Sequence, residues 1–237
     1  MTETNDKNSL ASRTASDSAY GRVRDDIIFG ELQPGTRLRL EAIRSRYGPS
    51  VPTLREVLSR LTSEGFVDAE GQRGFSVASV SVTGLREVAA MRRLIEADAL
   101  RSSFTFGGID WEARVIAAHH RLSRVEADLL GGKNADVRIW KQYDKDFHVA
   151  LISNCSSAFL LRVYEGIYSH YLRYQMMALG FRGEPARMEH QLLLDHALNR
   201  DAEAAVRVLG EHIDKGVEHA VAHWPDALTR RVPATAT

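Results

Sequence analysis

The residue types that can do chemistry in this chain lie on three stretches. In V-R-I-W-K-Q-Y-D-K-D-F-H-V-A-L-I, residues 137–152, Asp144 and His148 are four apart. A helix advances about 100° per residue, so the two share one face while Asp146 points roughly opposite to His148. The apolar stripe Trp140, Tyr143, Phe147 and Leu151 runs beside that pair and turns it towards the buried side. His190, in E-H-Q-L-L-L-D-H-A-L, adjoins Leu193, Leu194 and Leu198; His212, in A-V-R-V-L-G-E-H-I-D, adjoins Val208, Leu209 and Ile213. If these two stretches form an antiparallel hairpin around Asn199-Arg200-Asp201, positions 190 and 212 stand at similar heights, each about ten residues from the turn. One carboxylate and three imidazoles inside a helical bundle make a ligand set for a divalent metal. Zinc or nickel is the expected ion, with one or two positions left for water or a ligand. The blander alternative is that Asp144 and His148 merely stabilise their own helix. His119, His120, His170, His219 and His223 suit surface or packing positions, and His196, six residues past His190, is turned well away from it.

These residues need helices to carry them. From Ser81 onward the pattern is helical, with candidates at 83–106, 110–130, 135–153, 156–179, 184–199 and 201–222. Breaks fall at Gly107-Gly108, Gly131-Gly132, S-N-C-S-S and Gly180 to Gly183. Six helices of this length make a bundle with its own core. Residues 81–223 are therefore read as one helical domain, followed by a flexible tail, 224–237.

The N-terminal part reads differently. Residues 1–17 are polar and expected to be disordered. A helix follows from about Asp17 to Phe29, with Val23, Ile27 and Ile28 inward. L-Q-P-G-T-R-L is read as a turn. A short helix, Leu40 to Tyr47, stops at Gly48-Pro49. Ser50 or Thr53 then caps a helix to about Ser63, with Leu54, Val57, Leu58 and Leu61 inward. Two strand-like pieces, F-V-D-A and G-F-S-V-A, flank the turn E-G-Q-R-G. Helix, turn, helix and a two-stranded ribbon outline a winged helix-turn-helix over residues 18–80. The fold class is thus mainly α: an N-terminal winged helix-turn-helix and a C-terminal all-α helical bundle.

Charge supports that outline locally. The 237-residue chain has 31 basic and 31 acidic residues, so no global pull draws it to nucleic acid or anionic membrane. Residues 35–60, however, hold Arg37, Arg39, Arg44, Arg46, Arg55 and Arg60 against Glu41 and Glu56, a local +4. All six are arginine, the residue suited to bidentate phosphate and guanine contacts. No apolar run approaches the roughly 18 residues of a membrane span. The N-terminus lacks the features of a signal peptide. A single cysteine, Cys155, excludes an internal disulfide and a cysteine zinc finger, and a cytoplasmic setting is expected.

The stretches I-I-F-G-E-L-Q-P-G-T-R-L, R-Y-G-P-S-V-P-T-L-R-E-V-L-S-R-L-T-S-E-G-F-V and G-Q-R-G-F-S-V resemble the DNA-binding domain of GntR-family bacterial transcription regulators. The helical remainder is similar to the ligand-binding domain of the FadR subfamily, called FCD. The resemblance covers about residues 18–222. In that domain the metal ligands are an Asp and a His four apart, then one His from each of two later helices about 22 residues apart. The resemblance places Asp144, His148, His190 and His212 in those four positions.

It further implies a homodimer on a palindromic double-stranded operator. The recognition helix, about Pro52 to Ser63, would enter the major groove, with Arg55 at a base edge or phosphate and Thr53 and Ser50 near the backbone. Arg44, Arg46 and the wing-tip Arg73 would meet phosphate. Val51-Pro52 stands where the family often has an Arg, so operator sequence does not carry over.

The implied effector is a small carboxylate at the metal. Arg92 is the candidate partner for a second carboxylate, with Arg93 as the alternative and surface pairing with Glu96 as the competing role. A metal-free bundle binding an apolar or acyl effector is the second reading. A metal-dependent enzyme is the distant third: it would need a base beside the ion, no H-E-x-x-H occurs, and Glu189 lies about 100° from His190 along its helix.

Overall fold

The computed structural model describes residues 3–71, 74–133, 136–178 and 180–225, with side chains from residue 16 onward. The chain divides into two compact units, one ending at Ser81 and the other Val82–Pro225.

In the first unit, α1 spans Glu3–Ile28 and buries Ala19, Val23, Ile27 and Ile28. It begins well before Asp17, where the sequence had suggested a disordered stretch. Once the turns over Ala19–Ile28 are packed, extending the helix N-terminally adds a hydrogen bond per residue fixed and needs no apolar stripe. Strand β1, Arg37–Leu38, is followed by α2, Leu40–Tyr47, and α3, Val51–Ser63. Ser50 caps α3, its side chain accepting from the Thr53 amide at 3.4 Å, and a proline sits in the first turn, where its missing N–H costs nothing. Leu54, Val57, Leu58 and Leu61 recur at helical spacing and are all buried. Each contributes roughly 1.5–3 kcal/mol by leaving water. They fix α3 against α1 and leave Arg55, Glu56 and Ser59 on the open side.

Strands β2, Val67–Ala69, and β3, Phe75–Val77, pair antiparallel, Val67 opposite Val77. β1 joins them on the far side of β3, with Arg37 opposite Ser76 and Leu38 opposite Phe75. The expected two-stranded ribbon is therefore a three-stranded sheet, ordered β1-β3-β2. The T-R-L end of the stretch read as a turn is its edge. At the wing tip Gly71 and Gly74 have φ of 58° and 101°, a region closed to most side chains. The expected phosphate contact at Arg73, with Gln72, lies outside the described residues.

The second unit holds α4 Val82–Phe106, α5 Ile109–Leu130, α6 Val137–Ile152, α7 Ala158–Ala178, α8 Glu184–Leu198 and α9 Ala202–Ala222. Asp136 caps α6 and Asp201 caps α9, each by a side-chain oxygen on a first-turn amide. Helix α5 packs on α6 and α8, α4 on α6, α7 and α9, and α8 on α9. The α8–α9 hairpin turns through Asn199–Asp201, where Arg200 takes a φ of 57°. Phe147, Leu151, Leu193, Leu209 and Ile213 are fully buried at the centre, and polar residues lie among them.

Candidate functional site

All six bundle helices send a polar side chain to one point. Asp144 and His148 come from α6, His190 from α8 and His212 from α9, all four buried. Their ligand atoms lie within 4.8 Å of one another. Nε2 of His190 is 3.2 Å from Asp144 Oδ1, and Nε2 of His148 is 3.9 Å from it. The His190 and His212 rings are 4.8 Å apart between centroids, the juxtaposition that the α8–α9 hairpin requires.

The far side of each ring is held by a carboxylate. His148 Nδ1 lies 2.5 Å from Glu96 of α4, His190 Nδ1 lies 2.7 Å from Glu126 of α5, and His212 Nδ1 lies 2.9 Å from Glu189 of α8. A carboxylate only accepts, so each Nδ1 is assigned the proton and donates it, and Nε2 is left with its lone pair. Glu96 and Glu126 are fully buried. None of the three was foreseen as part of the site. Glu189 is no base for His190; it serves His212 on the neighbouring helix.

These atoms fit a divalent ion. His148 Nε2, His190 Nε2 and Asp144 Oδ1 are buried and have no hydrogen-bond partner, an arrangement costing roughly 1–3 kcal/mol per group unless something binds them. Donors to a shared zinc or nickel stand roughly 2.1 Å from it, so neighbours lie roughly 3 Å apart and opposite donors roughly 4 Å. The ring spans such distances. Carboxylate, imidazole and metal in series is a recurrent way of fixing a ligand's tautomer.

Electrostatics agrees. Burial would raise the Asp144 carboxyl, but Lys141 and the His190 and His148 rings overcome it and hold the group well below its usual range. Burial would lower His190, yet the Asp144 carboxylate 3.2 Å from its Nε2 and the Glu126 carboxylate at its Nδ1 push it up to about 9. Without an ion, a proton takes the place between those carboxylates. His148 and His212 are lowered, chiefly by burial, which favours the neutral ring.

Around the ring stand four cations, of which Lys215, 3.2 Å from Glu189, is the most exposed. Arg92 is 1% exposed, donates from Nε to Glu96 at 2.8 Å and lies 4.6 Å from the ring centroids of both Tyr168 and Tyr171. Its pairing with Glu96 is thus buried, not at the surface. Arg93 instead pairs in the open with Asp214. Lys141, also buried, reaches Gln175 at 2.8 Å and Asp144 Oδ2 at 3.4 Å. Arg182 bonds Glu189 at 2.6 Å. Tyr168 donates to Asp144 Oδ2 at 2.9 Å. Asp146 stays outside the ring, accepting from Gln142. His119 packs edge-on against Phe147.

In the first unit Arg55 is exposed on α3. Ser50 and Thr53 are joined at 2.9 Å at the start of that helix. Arg44 is exposed and 3.8 Å from Glu41. Arg46 is engaged within the unit, 2.6 Å from Asp26, which also accepts from Tyr47. Arg60 stacks over Tyr20 at 3.7 Å.

Comparison with known proteins places both halves. Residues 15–77 match the family of bacterial regulatory proteins called the gntR family, and residues 87–215 match the FCD domain. The chain is 38% identical over 208 residues to the HTH-type transcriptional regulator BphR of Paraburkholderia xenovorans, covering 86% of this chain and 84% of that one. It is 33% identical over 200 residues to the HTH-type transcriptional repressor GlaR of Escherichia coli, covering 82% and 90%. Among solved structures, E. coli McbR/YncC superposes with a TM-score of 0.73 at 19% identity over 88% of this chain and 97% of that one, which shows the fold. No helix of the described residues is long and apolar enough to cross a membrane. The chain therefore belongs to the GntR family, as a DNA-binding transcription regulator with a C-terminal FCD domain, and is not an enzyme.

Proposed function

We propose that this regulator's affinity for its operator is set by a small carboxylate effector bound beside a divalent metal in the FCD domain. The observation that carries the reading is the buried ring of Asp144, His148, His190 and His212, with two imidazole nitrogens and one carboxylate oxygen left without partners. These four residues would hold zinc or nickel. Bound there, the ion would supply a Lewis-acidic anchor for a carboxylate. The chain's own residues do the rest. Glu96, Glu126 and Glu189 orient the rings, while Tyr168 and Lys141 fix Asp144 through its other oxygen.

The guest's charge follows from the groups around it. Asp144, Glu96, Glu126 and Glu189 face Arg92, Lys141, Arg182 and the more exposed Lys215, four negative against four positive. A divalent ion turns that balance to a net +2, which favours an anion. Nη2 of Arg92 is buried without a hydrogen-bond partner and is the chain's donor for it. An apolar or acyl effector would leave that Nη2 without an acceptor, at a cost of roughly 1–3 kcal/mol.

On the DNA side we assign Arg55 to a base edge or phosphate in the major groove. Arg44, and Arg73 at the wing, would neutralise phosphate; Ser50 and Thr53 would meet the backbone near the start of α3. Arg46 is the weakest of this set because Asp26 already holds it. Two copies on a palindrome would double these contacts. Repression is the proposed sign, by likeness to the GlaR relative.

The test is elemental analysis of the untagged protein beside a His148→Ala/His212→Ala variant. About one zinc or nickel per chain, lost in the variant, is the expected result. No metal in the wild type after reconstitution with either ion would overturn the metal-centred reading and leave DNA binding untouched.

A further inference from the structure

The face of α3 that its unit leaves open carries one negative charge. Pro52, Arg55, Glu56 and Ser59 follow at spacings of three and four residues, so they share that face, and all four are exposed. Glu56 is the single acid of α3. Its natural partner would be Arg60, because an acid followed four residues on by a basic group is the favoured helical ion pair. Arg60 is turned the other way. Its guanidinium stacks over the Tyr20 ring of α1 at 3.7 Å and reaches Asp17 and Glu64 at 3.4 Å each. Neighbouring acids are engaged: Asp26 holds Arg46 and Tyr47, Glu64 holds Tyr20, and Glu41 lies 3.8 Å from Arg44. Among the described residues, Glu56 has no ion pair and no side-chain hydrogen bond.

A bare carboxylate on this face works against DNA binding unless something there donates to it. Affinity for DNA comes largely from basic side chains that neutralise phosphates, and residues 35–60 hold an arginine excess suited to that. An acid among them repels the backbone whatever the sequence, and salt screens the repulsion only beyond about 8–10 Å. The major groove offers donors on two base edges, the N4 amino group of cytosine and the N6 amino group of adenine. Guanine O6 and N7 and thymine O4 are acceptors and turn a carboxylate away. Adenine sets its N7 acceptor beside the amino group, an arrangement that suits an amide and not an acid. Cytosine presents the donor alone.

We propose that Glu56 is a specificity-determining residue of this regulator, accepting from the N4 amino group of a cytosine in each half-site. Arg55, about 100° away around the helix, takes a guanine edge or a phosphate, so the two neighbours answer opposite halves of the donor and acceptor code. This rests on the reading that α3 enters the major groove, and adds a base that the arginines do not select.

The test is selection from a pool of randomised duplex DNA by the full chain, as wild type and as Glu56→Ala, Glu56→Gln and Arg55→Ala, with the melting temperature of each protein measured alongside. The wild type is expected to fix a cytosine at one position of each half-site. Exchanging that base pair in one half-site should cost about 5- to 150-fold in affinity, the range of one good base contact. Glu56→Ala should accept any base there, leave the other positions as they were and bind unrelated DNA more tightly, at an unchanged melting temperature. Glu56→Gln should move the preference to adenine, whose N6 and N7 an amide meets together. A purely structural role for the acid would not switch the base. Unchanged preferences in both Glu56 variants, or a uniform weakening on every sequence, while Arg55→Ala alters the motif, would overturn the cytosine assignment and leave α3 in the groove. A motif that no substitution on α3 alters, or no enrichment by the wild type, would overturn both.

Discussion

An imidazole in an apolar bundle binds a metal only as the neutral ring, and only if its free nitrogen is aimed at the ion. Glu126 does this aiming for His190, accepting from Nδ1 at 2.7 Å while the Trp140 indole also approaches it at 3.5 Å. Glu126→Gln keeps the volume but can present its amide N–H to Nδ1 and favour the wrong tautomer. Zinc affinity should fall about 10- to 100-fold with little change in helical content. Competition with a chromophoric chelator measures it; an unchanged dissociation constant would reduce Glu126 to a space-filling role. The convergence of Asp144, His148, His190 and His212 was legible in the sequence because i,i+4 spacing and a helical hairpin are local geometry. Their carboxylate partners were not. Glu96 and Glu126 stand 52 and 64 residues from the histidines they hold, and a glutamate on a helix ordinarily means solvent. Arg92 with Glu96 four residues on has the spacing of a surface pair, yet both are buried. Lys141 hid its role in the same way.

At the scale of elements, α3 is a helix whose buried side is satisfied within its unit and whose open side is spare. Leu54, Val57, Leu58 and Leu61 hold it in place, so Arg55→Ala changes nothing that folding needs. Operator binding should nevertheless weaken by about 1–3 kcal/mol per half-site if Arg55 reads a base. A gel shift at moderate salt near wild type would be incompatible with that role. The link between α1 and the end of α3 has its own signature. The Tyr20 hydroxyl lies 2.7 and 2.6 Å from the two oxygens of Glu64. Burial and this hydrogen bond to Glu64 push the phenol up to about 12. A group raised on folding adds stability that is fully present below its unfolded value of about 10 and is lost as pH climbs through 12. Melting of the first unit should therefore fall between pH 10 and 12. Tyr20→Phe should be less stable by about 1 kcal/mol at pH 7 and show a shallower decline in that window. A parallel decline in wild type and variant would rule the link out as its source. Helix α3 was readable through its cap, its proline and its period. Strand β1 was not, because two residues cannot show alternation, and only the partner β3 defines it as a strand.

For the whole molecule the regulatory reading makes a demand that no single site can meet. If an effector changes operator affinity, the two sites share a coupling free energy, typically about 1–3 kcal/mol, or roughly 5- to 150-fold. That quantity is a property of the chain and has no direction. An effector that weakens operator binding tenfold must itself bind tenfold more weakly to the operator complex than to free protein. The ring is a source for such coupling, because α4, α5, α6, α8 and α9 all contribute one of its four residues or a carboxylate that holds one, so a guest at an ion bound there would touch most of the bundle's packing. The measurement is a closed cycle on the zinc-loaded chain: operator affinity with and without saturating effector by fluorescence anisotropy, and effector affinity with and without saturating operator by calorimetry, at one salt concentration because phosphate contacts make DNA affinity salt-dependent. Equal ratios on the two sides, both well away from one, are expected. Ratios of one on both sides, with metal and effector bound, would show that the FCD site is occupied without speaking to the DNA, and would detach the metal ring from regulation while leaving it intact as a binding site.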